Sequence, residues 1–200
     1  MITIKRIPVG VLQVNCYLVV HGDQALVVDP GDEPQKVIDT IDELHLKPVG
    51  ILLTHAHVDH IRGVSDVAAR YGLAVWCHPG DRALYASPAN AILPWIPAAE
   101  DLPELSDEPP ALDGAPYTVI STPGHTPGSV CFHFPESRVL LTGDTLFKGT
   151  HGRTDFPGGC EQDIHDSIRL KLYTLPEDTA VYPGHMEQTT IGDEKRTQFH

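Results

Sequence analysis

The sequence predicts an α/β protein in which two sheets lie face to face with helices on the outside. Short β-rich segments alternate with amphipathic helical segments, once before and once after a proline-rich stretch at residues 87–116. Alternating strands and helices favour an α/β architecture, because each apolar sheet face must be covered by another layer. A polar cluster also directly follows one buried strand, at the position where open α/β sheets bind ligands.

The elements predicted before residue 87 alternate between strands and helices. Each strand is a short apolar or alternating run, and each helix carries apolar residues at helical spacing. The stretch His21-Gly22-Asp23-Gln24 fits a hairpin turn, and Pro34 fits the first position of a helix. The predicted strands are 2–7, 15–20, 25–28, 49–53 and 73–77. One predicted helix begins at Pro34, and two others cover 61–71 and 79–85.

Residues 87–116 contain seven prolines and many acidic residues, with Trp95 and Ile96 as apolar exceptions. A long stretch with little regular structure is usually a functional loop or a linker. Metal-ligand candidates lie on both sides of it, so we expect a single domain over 1–200 and a loop that shapes a substrate entrance. After this loop, the predicted strands are 117–121, 130–134, 139–141 and 180–182, with a helix over 160–172.

Composition excludes several classes of partner. The formal net charge is −13, which disfavours general binding to nucleic acid or to anionic membranes. We expect neither a leader sequence nor a transmembrane segment, because no sustained apolar run follows the amino-terminal residues. The four cysteines are scattered without a CxxC motif, which fits a reducing compartment, and Cys16, Cys77 and Cys131 fit buried apolar positions. We therefore expect a cytoplasmic protein; its oligomeric state is open.

Three histidines and one aspartate follow the predicted strand 49–53 directly. These residues are His55, His57, Asp59 and His60. In a loop, side chains at this spacing can turn toward a common point, and imidazole and carboxylate are ligands of borderline divalent cations. A run of solvated polar residues is the alternative, but the order of the residues and their position at a strand end favour a metal site.

Three later turns share one design, in which glycine or proline fixes a turn that presents a potential ligand. The ligands are His125 in Pro-Gly-His, Asp144 in Gly-Asp and His185 in a second Pro-Gly-His. A lone histidine in a turn is more often a surface residue than a ligand. Three such turns together with the first cluster give seven candidate ligands, which is enough for two metal ions.

These motifs resemble the metallo-β-lactamase superfamily and, within it, the short single-domain members of the glyoxalase II (hydroxyacylglutathione hydrolase) group. The resemblance rests on His-Ala-His-Val-Asp-His at 55–60, followed in order by His125, Asp144 and His185. Supporting stretches lie at 15–17, 29–31, 123–129, 143–147, 152–156 and 189–192. The resemblance covers almost the whole chain and implies a four-layer αβ/βα sandwich of the metallo-β-lactamase type.

The resemblance also implies two divalent cations per chain, zinc first, with iron or manganese as alternatives. Two cations that share a water molecule lower its pKa and supply hydroxide near neutral pH. The implied reaction is hydrolysis of an acyl-glutathione thioester such as S-lactoylglutathione, with Asp59 and Asp144 in catalytic positions. The implied ligands are His55, His57 and His125 for one cation, Asp59, His60 and His185 for the other, and Asp144 as a bridge between them.

Substrate binding is less specified. Longer glyoxalase II enzymes carry a carboxy-terminal helical domain with basic residues for glutathione, which we do not expect in this chain. Arg153 is then the first candidate for binding a substrate carboxylate, and Lys148 the second. An ion pair of Arg153 with Asp155 that only fixes the loop is the competing interpretation. Among the remaining histidines, His151 alone is a candidate for touching substrate.

Two other functions stay open at this point. The stretch 152–156 also resembles persulfide dioxygenases, in which a single iron would be held by His55, His125 and Asp144. Cys160 is a second point of resemblance to those enzymes. A metal-binding module without activity is the third possibility, although seven ligands shared by two cations leave room for water. True β-lactamases of the superfamily typically place cysteine or serine where Asp144 stands, which disfavours antibiotic hydrolysis.

Overall fold

The chain divides at Pro116 into two units, each built around a five-stranded sheet. The computed structural model describes residues 1–197. His200, to which the sequence assigns no role, lies outside the described residues. The division falls at the end of the proline-rich stretch, and the prediction of a single domain over 1–200 stays a prediction.

The sheet of the first unit has its strands in sequence order. The strands β1 to β3 pair antiparallel, while β4 and β5 continue the sheet in parallel. Only Gly22 and Asp23 separate β2 from β3, and Gly22 supplies the positive φ of 63° that this tight turn needs. The bounds are β1 Thr3–Val9, β2 Val14–His21, β3 Gln24–Val28, β4 Lys47–Leu52 and β5 Val75–Trp76.

Helices cover this sheet with amphipathic faces. Val37, Ile38 and Ile41 form the buried side of the first helix and belong to the same apolar core as residues of the strands. The helices are α1 Pro34–Glu43, α2 Val58–Ile61, α3 Val64–Tyr71 and α4 Arg82–Tyr85, with 3₁₀ turns at Pro79–Asp81 and Pro88–Asn90.

The predicted helix 61–71 is in fact interrupted. It is split between α2 and α3, and the break lies at Arg62 and Gly63. The Gly63 amide donates to the Pro30 carbonyl oxygen at 2.9 Å, and a Cβ on Gly63 would lie 2.7 Å from that oxygen. Contact with a distant loop therefore overrides the helical periodicity. The predicted end is confirmed, since Gly72 caps α3 with φ 69°.

The proline-rich stretch is folded against the first unit. The buried side chain of Asn90 accepts a hydrogen bond from the Ala99 amide at 2.9 Å and donates one to the Ala99 carbonyl at 3.0 Å. Leu105 forms a parallel bridge with Val75, and the Ser106 amide donates to the Val75 carbonyl at 2.8 Å. These contacts give the stretch a defined path without long helices or strands.

The second unit contains a five-stranded sheet, a small hairpin and two helices. In the sheet, the order is β12-β11-β8-β7-β6, and only β8 and β11 run parallel. Ile164, Ile168 and Leu172 form an apolar core with residues of the sheet. The strands are β6 Thr118–Ser121, β7 Val130–Phe134, β8 Val139–Gly143, β9 Leu146–Phe147, β10 Thr150–His151, β11 Ala180–Pro183 and β12 Thr189–Thr190, and the helices are α5 Glu161–Leu170 and α6 Ile191–Thr197.

Most predicted elements are confirmed within one to three residues at their ends. The sequence missed the hairpin of β9 and β10, the strand β12 and the helix α6. Strands of two residues are too short to show an alternating pattern. In residues 1–197, no helix combines the length and the apolar character needed to cross a bilayer.

Three of the four cysteines are buried, as predicted. Burial raises the pKa of the thiols of Cys16 and Cys77, and it raises that of Cys131 to about 12. Such thiols stay protonated and unreactive near neutral pH. Cys160 is half-buried and precedes α5.

Candidate metal centre

The histidine cluster of the first unit lies where two parallel strands end. The strand β3 ends at Val28 and β4 at Leu52, so Asp29 and His55 emerge at the same edge of the sheet. The Asp29 amide donates to the Leu52 carbonyl at 3.1 Å, which ties the two strand ends together. His55, His57 and His60 are all buried, and the His55 ring lies 4.9 Å from that of His57 and 4.1 Å from that of His60, measured between centroids.

Asp29 holds two residues of this loop, Thr54 and His60, through its carboxylate. Its carboxylate accepts hydrogen bonds from the Thr54 amide at 2.8 Å and the Thr54 hydroxyl at 2.6 Å. It also lies 2.9 Å from Nδ1 of His60. A carboxylate beside one imidazole nitrogen holds the proton there and leaves the other nitrogen, Nε2, as the ligand atom. Asp29 therefore supports the loop at Thr54 and orients His60 without being a candidate ligand itself.

Two further residues hold the loop, and the sequence analysis gave neither a role in the site. The buried carboxylate of Asp81 accepts a hydrogen bond from the Ala56 amide at 3.0 Å. Gly31 packs directly on the backbone of α2, and a Cβ at this position would overlap the carbonyl oxygen of Asp59. Asp81 follows a different strand, so only the fold reveals its contact; the Asp-Pro-Gly motif was the available signal for Gly31.

The second unit brings three other candidate ligands together. His125, Asp144 and His185 follow β6, β8 and β11, respectively. One carboxylate oxygen of Asp144, Oδ2, lies 3.6 Å from Nε2 of His125 and 3.7 Å from Nε2 of His185. Nδ1 of His125 donates to the Arg153 carbonyl at 2.6 Å, because a carbonyl oxygen can only accept. This bond directs Nε2 of His125 toward Asp144.

These distances fit metal ligands better than direct hydrogen bonds. Hydrogen bonds between such atoms are about 2.7–3.2 Å long. Two ligand atoms at about 2.1 Å from a tetrahedral cation lie about 3.4 Å apart. Within each unit, the separations in question are 3.6 and 3.7 Å around Asp144 and 3.8 Å between Nε2 of His60 and Oδ2 of Asp59. The mixed nitrogen and oxygen donors suit zinc, iron or manganese.

These candidate ligands lie in a part of the chain that matches a known sequence family. The sequence profile of the metallo-beta-lactamase superfamily matches residues 9–185. The chain belongs to the metallo-β-lactamase superfamily. The predicted fold class is confirmed by this match and by the structural likenesses below. It is the metallo-β-lactamase fold, with two sheets flanked by helices.

Two relatives of this superfamily match nearly the whole chain. Hydroxyacylglutathione hydrolase GloC of Haemophilus influenzae is 38% identical over 202 residues, which cover 97% of this chain and 95% of the relative. Probable metallo-hydrolase YqgX of Bacillus subtilis is 37% identical over 193 residues, which cover 94% and 92%. Both relatives are named as hydrolases, and the name of the second also specifies a metal.

Two solved structures are similar over nearly their full length. The B3 metallo-β-lactamase BLEG-1 has a TM-score of 0.88 and 36% identity, with 97% of both chains covered. TTHA1623, solved in a di-iron-bound form, has a TM-score of 0.84 and 37% identity, with 96% of this chain and 98% of that chain covered.

The two basic side chains predicted to bind substrate, Arg153 and Lys148, are each paired with a carboxylate. Arg153 donates to Asp155 through Nε at 2.9 Å and through a terminal nitrogen at 2.7 Å, and its guanidinium lies 4.4 Å above the Phe156 ring. The hydrogen bond from Arg153 lowers the pKa of Asp155. Lys148 donates to Glu187 at 2.9 Å. The Arg153 pair has the geometry of the competing, structural interpretation, and the substrate-binding role stays a prediction.

A recess of about 220 Å³ lies beside the first cluster. It is lined by Asp32, Asp59, Arg62, Trp95 and Ile96, together with the turn between β1 and β2. Trp95 is 72% exposed although it is a large apolar side chain. Arg62 is exposed, and its side chain makes no ion pair with any residue of 1–197. The proline-rich stretch therefore brings apolar surface next to a candidate metal ligand.

Proposed function

We propose that the chain is a dinuclear metal-dependent hydrolase that cleaves small acyl-thiol thioesters, such as S-lactoylglutathione. Superfamily membership supports a metal-binding hydrolase. The relative named hydroxyacylglutathione hydrolase, which is 38% identical over almost its full length, supports the thioester class.

The position of Asp144 carries the proposal of two cations. One carboxylate oxygen lies almost equally far, 3.6 and 3.7 Å, from nitrogens of His125 and His185. If these two imidazoles belong to different ligand sets, as we propose, a carboxylate near both would serve both cations. In our assignment, His55, His57 and His125 hold the first cation, Asp59, His60 and His185 hold the second, and Asp144 bridges them.

The chain's own groups position this chemistry. Bound cations would activate a water molecule and polarise the thioester carbonyl. Asp29 fixes the His60 ring through Nδ1, and the Arg153 carbonyl fixes His125 in the same way. Buried and oriented ligands require little rearrangement when a substrate binds, and this preorganisation favours the transition state.

We propose that part of the substrate binds in the recess beside Asp59. Trp95 and Ile96 offer an apolar wall for an acyl or thiol chain, and Arg62 offers a cation for a carboxylate. The partner in this proposal is a small molecule. Neither nucleic acid nor a membrane surface fits a chain with a formal charge of −13.

A second candidate is β-lactam hydrolysis, which the likeness to a B3 metallo-β-lactamase at 36% identity favours. It would use the same activated water on an amide instead of a thioester. The persulfide dioxygenase alternative differs in requiring one iron and oxygen. The di-iron form of TTHA1623 supports iron as a possible cation in the hydrolase as well.

The test is a comparison of substrates with simultaneous metal analysis. We expect two cations per chain and turnover of S-lactoylglutathione that exceeds turnover of a chromogenic cephalosporin by orders of magnitude. Asp144→Asn should lose most hydrolysis and part of the metal, while the exposed control Asp66→Asn should keep both. One iron per chain with persulfide-dependent oxygen consumption, or preferred cephalosporin turnover, would overturn the proposal.

A further inference from the structure

Two histidines and a glutamate of the second unit meet on a surface outside the candidate metal centre. His151 ends β10, while Glu161 and His165 lie one turn apart on α5. Nε2 of His165 lies 3.3 Å from Nε2 of His151 and 3.1 Å from Oε1 of Glu161. Nε2 of His151 lies 3.6 Å from the same carboxylate oxygen. The three ligand-type atoms thus form a nearly equilateral triangle.

We propose that His151, Glu161 and His165 bind a further borderline divalent cation such as Zn²⁺, in addition to the two cations of the proposed hydrolase centre. The ligand types, two imidazoles and a carboxylate, are those of tetrahedral zinc sites with one open position. The edge of such a tetrahedron is about 3.4 Å for ligand distances near 2.1 Å. The observed edges of 3.1, 3.3 and 3.6 Å scatter around that length.

Neighbouring groups orient two of the three ligands. Nδ1 of His151 donates to the Gly152 carbonyl at 2.9 Å, so its proton is on Nδ1 and Nε2 carries the lone pair. The Thr154 hydroxyl donates to Oε2 of Glu161 at 2.5 Å, which leaves Oε1 facing the imidazoles. This hydrogen bond, with the nearby imidazoles, lowers the pKa of Glu161.

The cluster is accessible from solvent. The side chains of His151, Glu161 and His165 are 22%, 58% and 31% exposed. A cation can enter, and water can complete its coordination. In the sequence, Arg153 stands between the proposed ligand His151 and Thr154, and its carbonyl oxygen accepts the hydrogen bond from His125. An ion here would fasten α5 to the loop that orients His125.

A simple hydrogen-bonded network is the competing explanation. A direct contact between His165 and Glu161 at i, i+4 is an ordinary feature of an exposed helix face and contributes little to stability. Such a pair responds to pH but not specifically to zinc. Zinc binding and its dependence on each ligand therefore separate the two explanations.

The decisive experiment is equilibrium dialysis against zinc, with elemental analysis of protein that retains its own metals. We expect wild type to bind one more zinc per chain than Glu161→Gln and His165→Gln, because each variant lacks one of only three protein ligands. His45→Asn is the matched control, because it removes an exposed imidazole of the first unit, and it should bind as wild type does. Equal zinc binding by wild type and both variants would overturn the proposal.

A second readout does not depend on activity or on the stability of any variant. Substoichiometric Cu²⁺ added to the metal-loaded wild type should broaden the NMR signals of the His151 and His165 rings before that of His45. Simultaneous broadening of all three would contradict the site. The proposal stands independently of the thioester hydrolase, since neither test uses catalysis and neither variant touches a candidate catalytic ligand.

Discussion

The carboxylate of Asp29 lies 2.9 Å from Nδ1 of His60, and both side chains are almost fully buried. Asp29 follows β3 and His60 lies on α2, so the contact joins the ends of two elements that are distant in sequence. It sets the tautomer of the imidazole and the direction of Nε2. Asp29 thereby acts on a candidate metal ligand without being one.

We predict that Asp29→Asn weakens binding of the second cation about tenfold to a hundredfold, the range measured for partners of metal-binding histidines. Asparagine keeps the shape of the side chain and tolerates the φ of 50° at this position, so the fold should persist. Metal titration of the apoprotein measures the effect, with Asp66→Asn as the control. Wild-type affinity in Asp29→Asn would show that the carboxylate charge is unimportant.

Asp59→Ala is predicted to remove the second cation and most hydrolysis while leaving the fold largely intact. In our assignment, Asp59 binds that cation only, whereas Asp144 serves both. Elemental analysis should show about one metal per chain, and circular dichroism should match wild type. Two metals per chain at wild-type occupancy would refute the assignment of Asp59.

A third prediction concerns the two arginines. Loss of a charge-assisted contact to a substrate carboxylate costs about 1.5–3 kcal/mol, or roughly ten- to a hundredfold in KM when the contact is equal in ground and transition states. Arg153 was the choice from sequence, but both donors of its fork bind Asp155. We therefore expect a larger rise in KM for Arg62→Ala than for Arg153→Ala, with kcat near wild type.

Steady-state kinetics on S-lactoylglutathione, with melting curves, decide the order. The Arg153–Asp155 pair is exposed and screened by solvent, so Arg153→Ala should melt close to wild type. A large rise in KM confined to Arg153→Ala would instead support Arg153 as the residue that binds the substrate carboxylate. An unchanged KM in both variants would remove support from either arginine.

Gly31→Ala tests the close packing beneath Asp59. The added Cβ would overlap the Asp59 carbonyl oxygen, so the backbone of one loop must move. We expect a lower melting temperature and loss of the second cation. Gly22→Ala is the control, because nothing lies within 4 Å of its Cβ and it incurs only the cost of positive φ, about 1–2 kcal/mol. Equal metal content in Gly31→Ala and wild type would contradict this role.

The sequence predicts most strands well, because strands depend on local patterns, and the candidate ligands were chosen by their position after such strands. The run Val130–Phe134 is β-rich and was predicted with its observed bounds. Ligands such as His55 and Asp144 follow strands directly, so recognising the strand locates the ligand. Their metal-ligand role, with that of His57, Asp59, His60, His125 and His185, stays a prediction.

Features that depend on long-range contact were not predictable. The break at Gly63 involves the Pro30 carbonyl, and the glycine alone was too weak a local signal to predict it, since an isolated glycine is tolerated in many helices. His151 approaches α5 only because the short hairpin of β9 and β10 carries it there. The pair of Arg153 with Asp155 was foreseen as an alternative, since the residues are two apart, but only the structure shows both donors in use.

The last prediction concerns the proline-rich stretch, which we propose shapes the substrate entrance. Asn90 is fully buried and exchanges two hydrogen bonds with the Ala99 backbone. Losing such buried partners costs about 1–3 kcal/mol, so Asn90→Ala should raise the rate of proteolysis within 87–116 roughly five- to a hundredfold. Ser87→Ala removes an exposed bond to the Ala89 amide and should change the rate little. Rapid cleavage of wild type that releases two independently folded halves would instead identify the stretch as a linker.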